Sequence, residues 1–305
     1  MRGAPKGRLR DGTPALRRCG AALGGCAMAL AFGQRVLRFR AADGGGPAGG
    51  RPFLPCRPGS FGKAEREAYA HLQAMGVHFV EIALPAPEES AAVRESLGRH
   101  GLRAGSLQVP IDLGNDHLEQ DMGEAARRVR EEFDAGYIFT SAHAGKRDRE
   151  ACYAALRRAG DAAARHGVTI VLETHPDLGT NGAVAAETMR AVGHPNVRVN
   201  WDPANVYFYN ENCDGRREFD AALPYVGAVH LKDTGGGYRA WDFGALGSGV
   251  VDFAYILGRL AEAGFAGPCT MEIEGRRGED LSAEEAVARV RDSVAHIRSL
   301  GVLGI

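Results

Sequence analysis

The stretch VTIVLETH, residues 168–175, is a short apolar run that ends in a carboxylate, Glu173, with His175 two positions on. Three later stretches repeat the design. VRVNWDPAN (197–205) reaches Asp202, VGAVHLKD (226–233) reaches His230, and GPCTMEIEG (267–275) reaches Glu272. Each run is bounded by turn residues and separated from the next by a helical segment, which is how buried parallel strands read. Each carries a metal-type ligand near its C-terminal end. In a closed parallel barrel those ends converge on one face, where the active site sits.

Working outward, the same alternation extends over most of the chain. Apolar runs at 53–56, 77–84, 102–109 and 137–143 predict strands one to four, with Glu81 on the second and Gln108 on the third. Helices are expected over 63–75, 87–100, 115–134, 147–166, 182–192, 216–223, 252–263 and 283–300, and a long Gly-rich loop over 234–249. Eight strand–helix units predict a (β/α)8 TIM barrel over residues 51–305. An open doubly wound sheet would need a phosphate fingerprint such as GxGxxG after an early strand, and there is none.

Residues 1–50 differ. They are rich in Arg, Gly and Ala, contain GGGPAGG, and predict a disordered, low-complexity N-terminal extension. Two other readings are a twin-arginine-like export signal, from Arg17-Arg18 before CGAALGGCAMALAFG, and a true start at Met28. The chain has 45% hydrophobic residues, enough for a large core, and a formal net charge of −1, which argues against nucleic acid as a partner. No strictly apolar run of about 18 residues suggests a membrane span. Six scattered cysteines (19, 26, 56, 152, 213, 269) form no CxxC pair, so a reducing cytoplasm is expected. A homo-oligomer is left open.

Glu173, Asp202, His230 and Glu272 offer three carboxylates and one imidazole. Such a donor set suits one divalent metal ion, Mn²⁺ or Mg²⁺ first, with Co²⁺, Fe²⁺ or Zn²⁺ as alternatives. Each residue alone could be a solvated strand end. Four on successive strands at matching depth are hard to explain that way, because carboxylates buried together without a cation raise each other's pKa. Moving a carbonyl, or inverting a carbon beside one, requires removing a poorly acidic C–H proton. Two carboxylates can remove and return it. Glu173 and Glu272 are the candidate pair, and Asp202 and His230 are ligands only.

These stretches resemble the sugar phosphate isomerase/epimerase family, the xylose-isomerase-like barrels. The resemblance is carried by LETHPDLGTNG, NWDPAN, HLKD, GSGVVD and GPCTMEIEG, and the barrel pattern extends it over roughly residues 52–300. It implies that the matching Glu173, Asp202, His230 and Glu272 hold one divalent metal and that the two glutamates exchange a proton with the substrate. The family also holds inosose-type dehydratases and an endonuclease branch. That branch needs extra His ligands, for which His143 and His175 are the obvious sources. The expected function is isomerisation or epimerisation of a small polyhydroxylated carbonyl compound, a sugar or sugar phosphate.

Further residues are candidates for substrate contact. His175 lies on the same side as Glu173, one pleat higher. Asn205 stands where some epimerases of the family carry a substrate-binding His, a departure that counts against free ketose epimerisation. Lys232 shares a face with His230. Glu81 and His143 end strands two and four, with a hydrogen-bonded rim position as the plainer alternative for each. Arg239 and Trp241 in the long loop are candidate lid residues. Glu272 and Glu274 lie on one side of strand eight, and depth separates them. Glu173 and Asp202 each come six residues after the turn residue that opens their strand (Gly167, Asn196), and six from Ala266 gives Glu272. Glu274 is expected at the rim.

Overall fold

The computed structural model describes residues 50–303, and the expectations for residues 1–49 lie outside them. Eight parallel strands close a barrel: β1 (Pro55–Cys56), β2 (Phe79–Ala83), β3 (Arg103–Gln108), β4 (Tyr137–Thr140), β5 (Thr169–Glu173), β6 (Val197–Trp201), β7 (Val226–Leu231) and β9 (Cys269–Met271). β1 pairs with β9 through Cys56 and Met271 and completes the ring. The TIM barrel expected from the strand–helix alternation is therefore present. Every residue of β5 and β7 is buried, as expected of strands covered outside by helices and inside by one another's side chains.

The covering helices are α1 (Ala68–Ala74), α2 (Ser90–Arg99), α3 (Leu118–Phe133), α4 (Arg149–Ala164), α5 (Gly182–Val192), α7 (Gly215–Ala222), α8 (Phe253–Glu262) and α9 (Ala283–Ser299). Their starts follow local chemistry. Asp148, Asn181, Asp214 and Asp252 each accept a backbone N–H at the first turn, and Ser282 with Glu285 forms a reciprocal capping box on α9.

Three features depart from the sequence reading. The helix expected over 63–75 is a 3₁₀ segment, Pro58–Glu67, followed by the short α1. Gly62, at φ 52° and ψ −118°, breaks the run, and Phe61 beside it is fully buried. A further helix, α6 (Pro203–Tyr209), grows directly out of the end of β6. The 234–249 loop holds a strand, β8 (Asp242–Phe243), paired antiparallel with β10 (Gly275–Arg276) beyond β9. That pairing ties the loop after β7 to the loop after β9, its neighbour in the barrel.

Register sets the site. Glu173 on β5 pairs with Asn200, Asn200 pairs with Ala228, and His230 on β7 pairs with Thr270. Asp202 thus stands two residues beyond the register partner of Glu173, His230 is level with Asp202, and Glu272 stands two residues beyond the register partner of His230. An even step keeps all four on one face of the sheet, and strand tilt in a closed barrel takes up the stagger.

Candidate metal centre

Glu173, Asp202, His230 and Glu272 are all buried, and one ligand atom from each lies within 4.8 Å of the other three. Local structure leaves those atoms free. Asp202 Oδ1 accepts the Asn205 N–H at 2.9 Å as the cap of α6, with Pro203 at the first helical position. The Asp202 N–H is held by Thr174 Oγ1 at 3.0 Å. Asp202 Oδ2 then sits fully buried with no hydrogen-bond partner. His230 places Nε2 3.0 Å from Glu81 Oε1. With the proton on Nε2 donating to that carboxylate, Nδ1 presents a lone pair to the centre. It too has no hydrogen-bond partner, and it lies 3.1 Å from Glu272 Oε2 and 3.5 Å from Glu173 Oε1.

A buried lone pair against two carboxylates is unfavourable unless a cation lies between them. The charge balance agrees. Glu81, Glu173, Asp202 and Glu272 are buried, and the fixed cations against them are Arg57 and Lys232. With His230 neutral, as a ligand must be, two positive charges are missing, and a divalent ion supplies two; without the ion a protonated His230 supplies one of them. Burial, with Glu272 and Glu173 alongside, pushes the Asp202 carboxyl up to about 7, although Lys232 pulls it down. Burial also raises Glu272, but His230, Lys232 and Arg57 outweigh it and hold that carboxyl well below the usual range. Burial opposes the His230 cation, yet Glu81 and Glu272 carry its pKa well above the ordinary value. The oxygen-rich donor set with one nitrogen fits a hard or borderline divalent ion.

Around the four, each further candidate takes a definite place. Glu81 is a buried residue behind the centre rather than on its rim. Ser106 Oγ donates to it at 2.6 Å, and it orients His230. His175 Nε2 lies 3.3 Å from Glu173 Oε2, and Tyr209 is 3.4 Å from its other ring nitrogen. Asn205 Nδ2 reaches Glu173 Oε1 at 3.5 Å, and Lys232 Nζ reaches Asn205 Oδ1 at 3.4 Å. Lys232 also lies 3.6 Å from Asp202 Oδ2 and 3.3 Å from Glu272 Oε2, is paired with Glu274, and sits over the Phe243 ring. Glu274 is outside the four-residue cluster. His143 is exposed, with its ring nitrogen against the Pro176 carbonyl, so it adds no ligand to the centre. Arg239 donates its N–H to the Phe208 carbonyl, and Trp241 lines the mouth.

Two residues escaped the sequence reading. Arg57, just past β1, is bonded to Glu272, lies 3.2 Å from Gln108 Oε1 and 3.7 Å from Glu81, and covers the Phe139 ring. Ser141, just past β4, donates to Glu173 Oε2 at 2.5 Å. Both occupy the strand-end position that singled out the four candidate ligands, and that shared position was the signal available for them. A pocket of about 160 Å³ opens over the centre, lined by His175, Asn205, Lys232, Tyr209 and Phe243 among others.

The family described as Xylose isomerase-like TIM barrel matches residues 69–300. The L-ribulose-5-phosphate 3-epimerase UlaE of Escherichia coli K12 is 29% identical over 158 residues, 51% of this chain and 54% of that protein. The chain thus spans about half the length of the curated relatives it matches. The solved D-allulose 3-epimerase from Methylomonas sp. superposes with a TM-score of 0.63 at 21% identity, covering 82% of this chain and 97% of that one. The IOLI protein, solved with a bound zinc atom, gives 0.63 at 19% identity, covering 83% and 100%. At such identities the structural likeness is one of fold. Among the described residues no helix is long and apolar enough to cross a membrane.

Proposed function

The chain belongs to the xylose isomerase-like TIM barrel family, and from that premise and its own site we propose that it is a divalent-metal-dependent isomerase or epimerase of a polyhydroxylated carbonyl compound. The observation that carries this reading is the buried cluster Glu173, Asp202, His230 and Glu272, in which Asp202 Oδ2 and His230 Nδ1 have no hydrogen-bond partner. The epimerase activities in the names of UlaE and the Methylomonas protein support it.

Glu173, Asp202, His230 and Glu272 would hold the ion. Once bound, it supplies positive charge for the oxygen on which negative charge gathers as a C–H proton leaves. The remaining work belongs to the chain. Glu173 and Glu272 face the pocket over the centre, and either can take a proton from the carbon beside a carbonyl. Ser141 and His175 hold Glu173 through Oε2, which fixes the orientation of its other oxygen. Lys232, kept protonated by Asp202, Glu272 and Glu274 despite burial, offers a cation to a substrate oxygen. Glu81 holds the His230 ring.

The test is a panel of ketoses, aldoses and their phosphates in deuterated water with metal-loaded protein. Metal-dependent incorporation of deuterium at one carbon beside the carbonyl is the expected result. Full activity in a metal-stripped sample overturns the reading, and loss of water to an unsaturated product redirects it to a dehydratase.

A further inference from the structure

A cavity of about 690 Å³ adjoins the centre on the β1–β2 side of the mouth. It shares Arg57, Gln108, Trp241, Glu272 and Glu274 with the 160 Å³ pocket over the metal ligands. Its far wall is the 3₁₀ segment and the start of α1, through Ser60, Glu65, Arg66 and Tyr69. Even at the roughly 30 Å³ that a water occupies in the liquid, the dozen or so non-hydrogen atoms of a free hexose fill about 360 Å³. A single sugar seated at the centre therefore leaves most of the adjoining space to water.

The lining says what kind of group fits there. A phosphate wants surplus cations or a fan of backbone N–H groups. Here Arg57 is engaged by Glu272 and Glu81, Arg66 is matched by Glu65 on the same wall, and Glu274 adds a further carboxylate. Two arginines against four carboxylates, Glu81 being the fourth, disfavour an anion, and this mixed set of donors and acceptors suits vicinal hydroxyls. The aromatic lining points the same way. Trp241 is 41% exposed, whereas Phe243 two residues on is 1% exposed. Phe208 and Phe243 pack edge-on against its ring, with centroids 6.1 and 5.1 Å away. An indole held in this way, with apolar surface left open beside polar groups, is a platform for the C–H face of a sugar ring.

We propose that this cavity is a second subsite for an uncharged glycosyl group. The substrate is then a glycosylated sugar whose carbonyl end reaches the four-residue centre while its second ring rests against Trp241, within reach of Arg66 and Tyr69. For the carbonyl end the proposal rests on the isomerase reading above.

The experiment titrates Mg²⁺-loaded full-length protein with lactulose, fructose and fructose 6-phosphate, following tryptophan fluorescence. The chain has two tryptophans, Trp201 fully buried and Trp241 exposed, so the part of the signal lost in Trp241→Phe is assigned to Trp241. Calorimetry on the same protein ranks the three ligands independently of the fluorophore. The expected result is that lactulose binds at least ten-fold more tightly than fructose, that Trp241→Phe removes the fluorescence change, and that Arg66→Ala removes most of the ten-fold preference. Equal binding of fructose and lactulose overturns the subsite, as does tightest binding of the phosphate. Deuterium exchange on the same ligands separates the two claims. Preferential lactulose binding without exchange from any ligand leaves the subsite standing and defeats the isomerase reading. Exchange from fructose without a lactulose preference does the reverse.

Discussion

At the scale of single residues, Glu272 and Glu274 show how two residues of chain separate two roles. Both lie near Lys232, but only Glu272 brings an oxygen into the four-residue cluster. Two residues along a strand is about 7 Å, and a carboxylate–metal bond is about 2.0–2.6 Å, so the two glutamates cannot exchange places. Glu272→Gln is expected to lower turnover by several orders of magnitude and weaken metal binding. Glu274→Gln is expected to cost much less. Steady-state kinetics beside metal titrations of both variants decide this, and a reversed ranking would undo the assignment of Glu272 as a base. Glu81 works one layer out. It touches His230 rather than the ion site, so Glu81→Gln is expected to weaken metal affinity by roughly 10–100-fold, as losing a histidine's orienting partner typically does. Unchanged affinity by competitive chelator titration would reduce Glu81 to a packing residue.

Elements matter where they aim those side chains. The cap of α6 is one case: the carboxylate that starts the helix leaves its second oxygen toward the centre. The loop after β7 is another. Asp233, directly after Lys232, is buried and accepts four backbone N–H groups. Thr234 and Val251 donate to Oδ1 at 2.9 and 3.2 Å, and Gly247 and Gly249 donate to Oδ2 at 2.8 and 2.9 Å. One side chain thus gathers both ends of the loop that carries Trp241 and β8. Gly249 is required there, because a Cβ would run into the Thr234 carbonyl and the Asp233 carboxylate. Asp233→Ala strands the buried N–H groups of Thr234 and Val251 at about 1–3 kcal/mol each. A clear drop in melting temperature is expected, with faster amide hydrogen exchange across residues 234–251. Exchange unchanged in that segment would show that β8–β10 pairing alone orders the loop.

At the scale of the whole molecule, the centre couples metal, proton and stability. The Asp202 carboxyl is raised by burial to about 7, from 3.8 when unperturbed. A carboxyl raised on folding favours the protonated native state. Its contribution is present in full below pH 3.8 and is lost as pH rises through about 7. His230, also raised, adds a loss of the same sign above 6.5. The lowered carboxyls Glu173 and Glu272 act oppositely, but below 4.5. Metal-stripped protein is therefore expected to lose melting temperature between pH 5 and 8. Added Mn²⁺ competes with protons for the same donors, so the difference between loaded and stripped protein should widen over that range. Melting curves in one buffer series check this, and a difference that narrows with rising pH would contradict the assigned donors.

Strand positions and the four residues that cluster at the mouth were legible in the chain because both depend on short spacings. Apolar runs, the turn residues between them, alternation along a strand and depth from the opening turn are all written within a few residues of Glu173, Asp202, His230 and Glu272. The capped start of α6 was equally local: Asp202 followed by Pro203 signals a helix, but the apolar run before it read as strand throughout. What surrounds the ligands could not be read in this way. Glu81 meets His230 across 149 residues of sequence, and Arg57 meets Glu272 across 215. The wall of the large cavity is built where Gly62 breaks an expected helix, and Trp241 is placed by a two-stranded pairing between loops on different sides of β9. Local periodicity follows from backbone geometry one or two residues apart. Which side chains meet across the mouth is decided only when the barrel closes and its tilt sets the stagger.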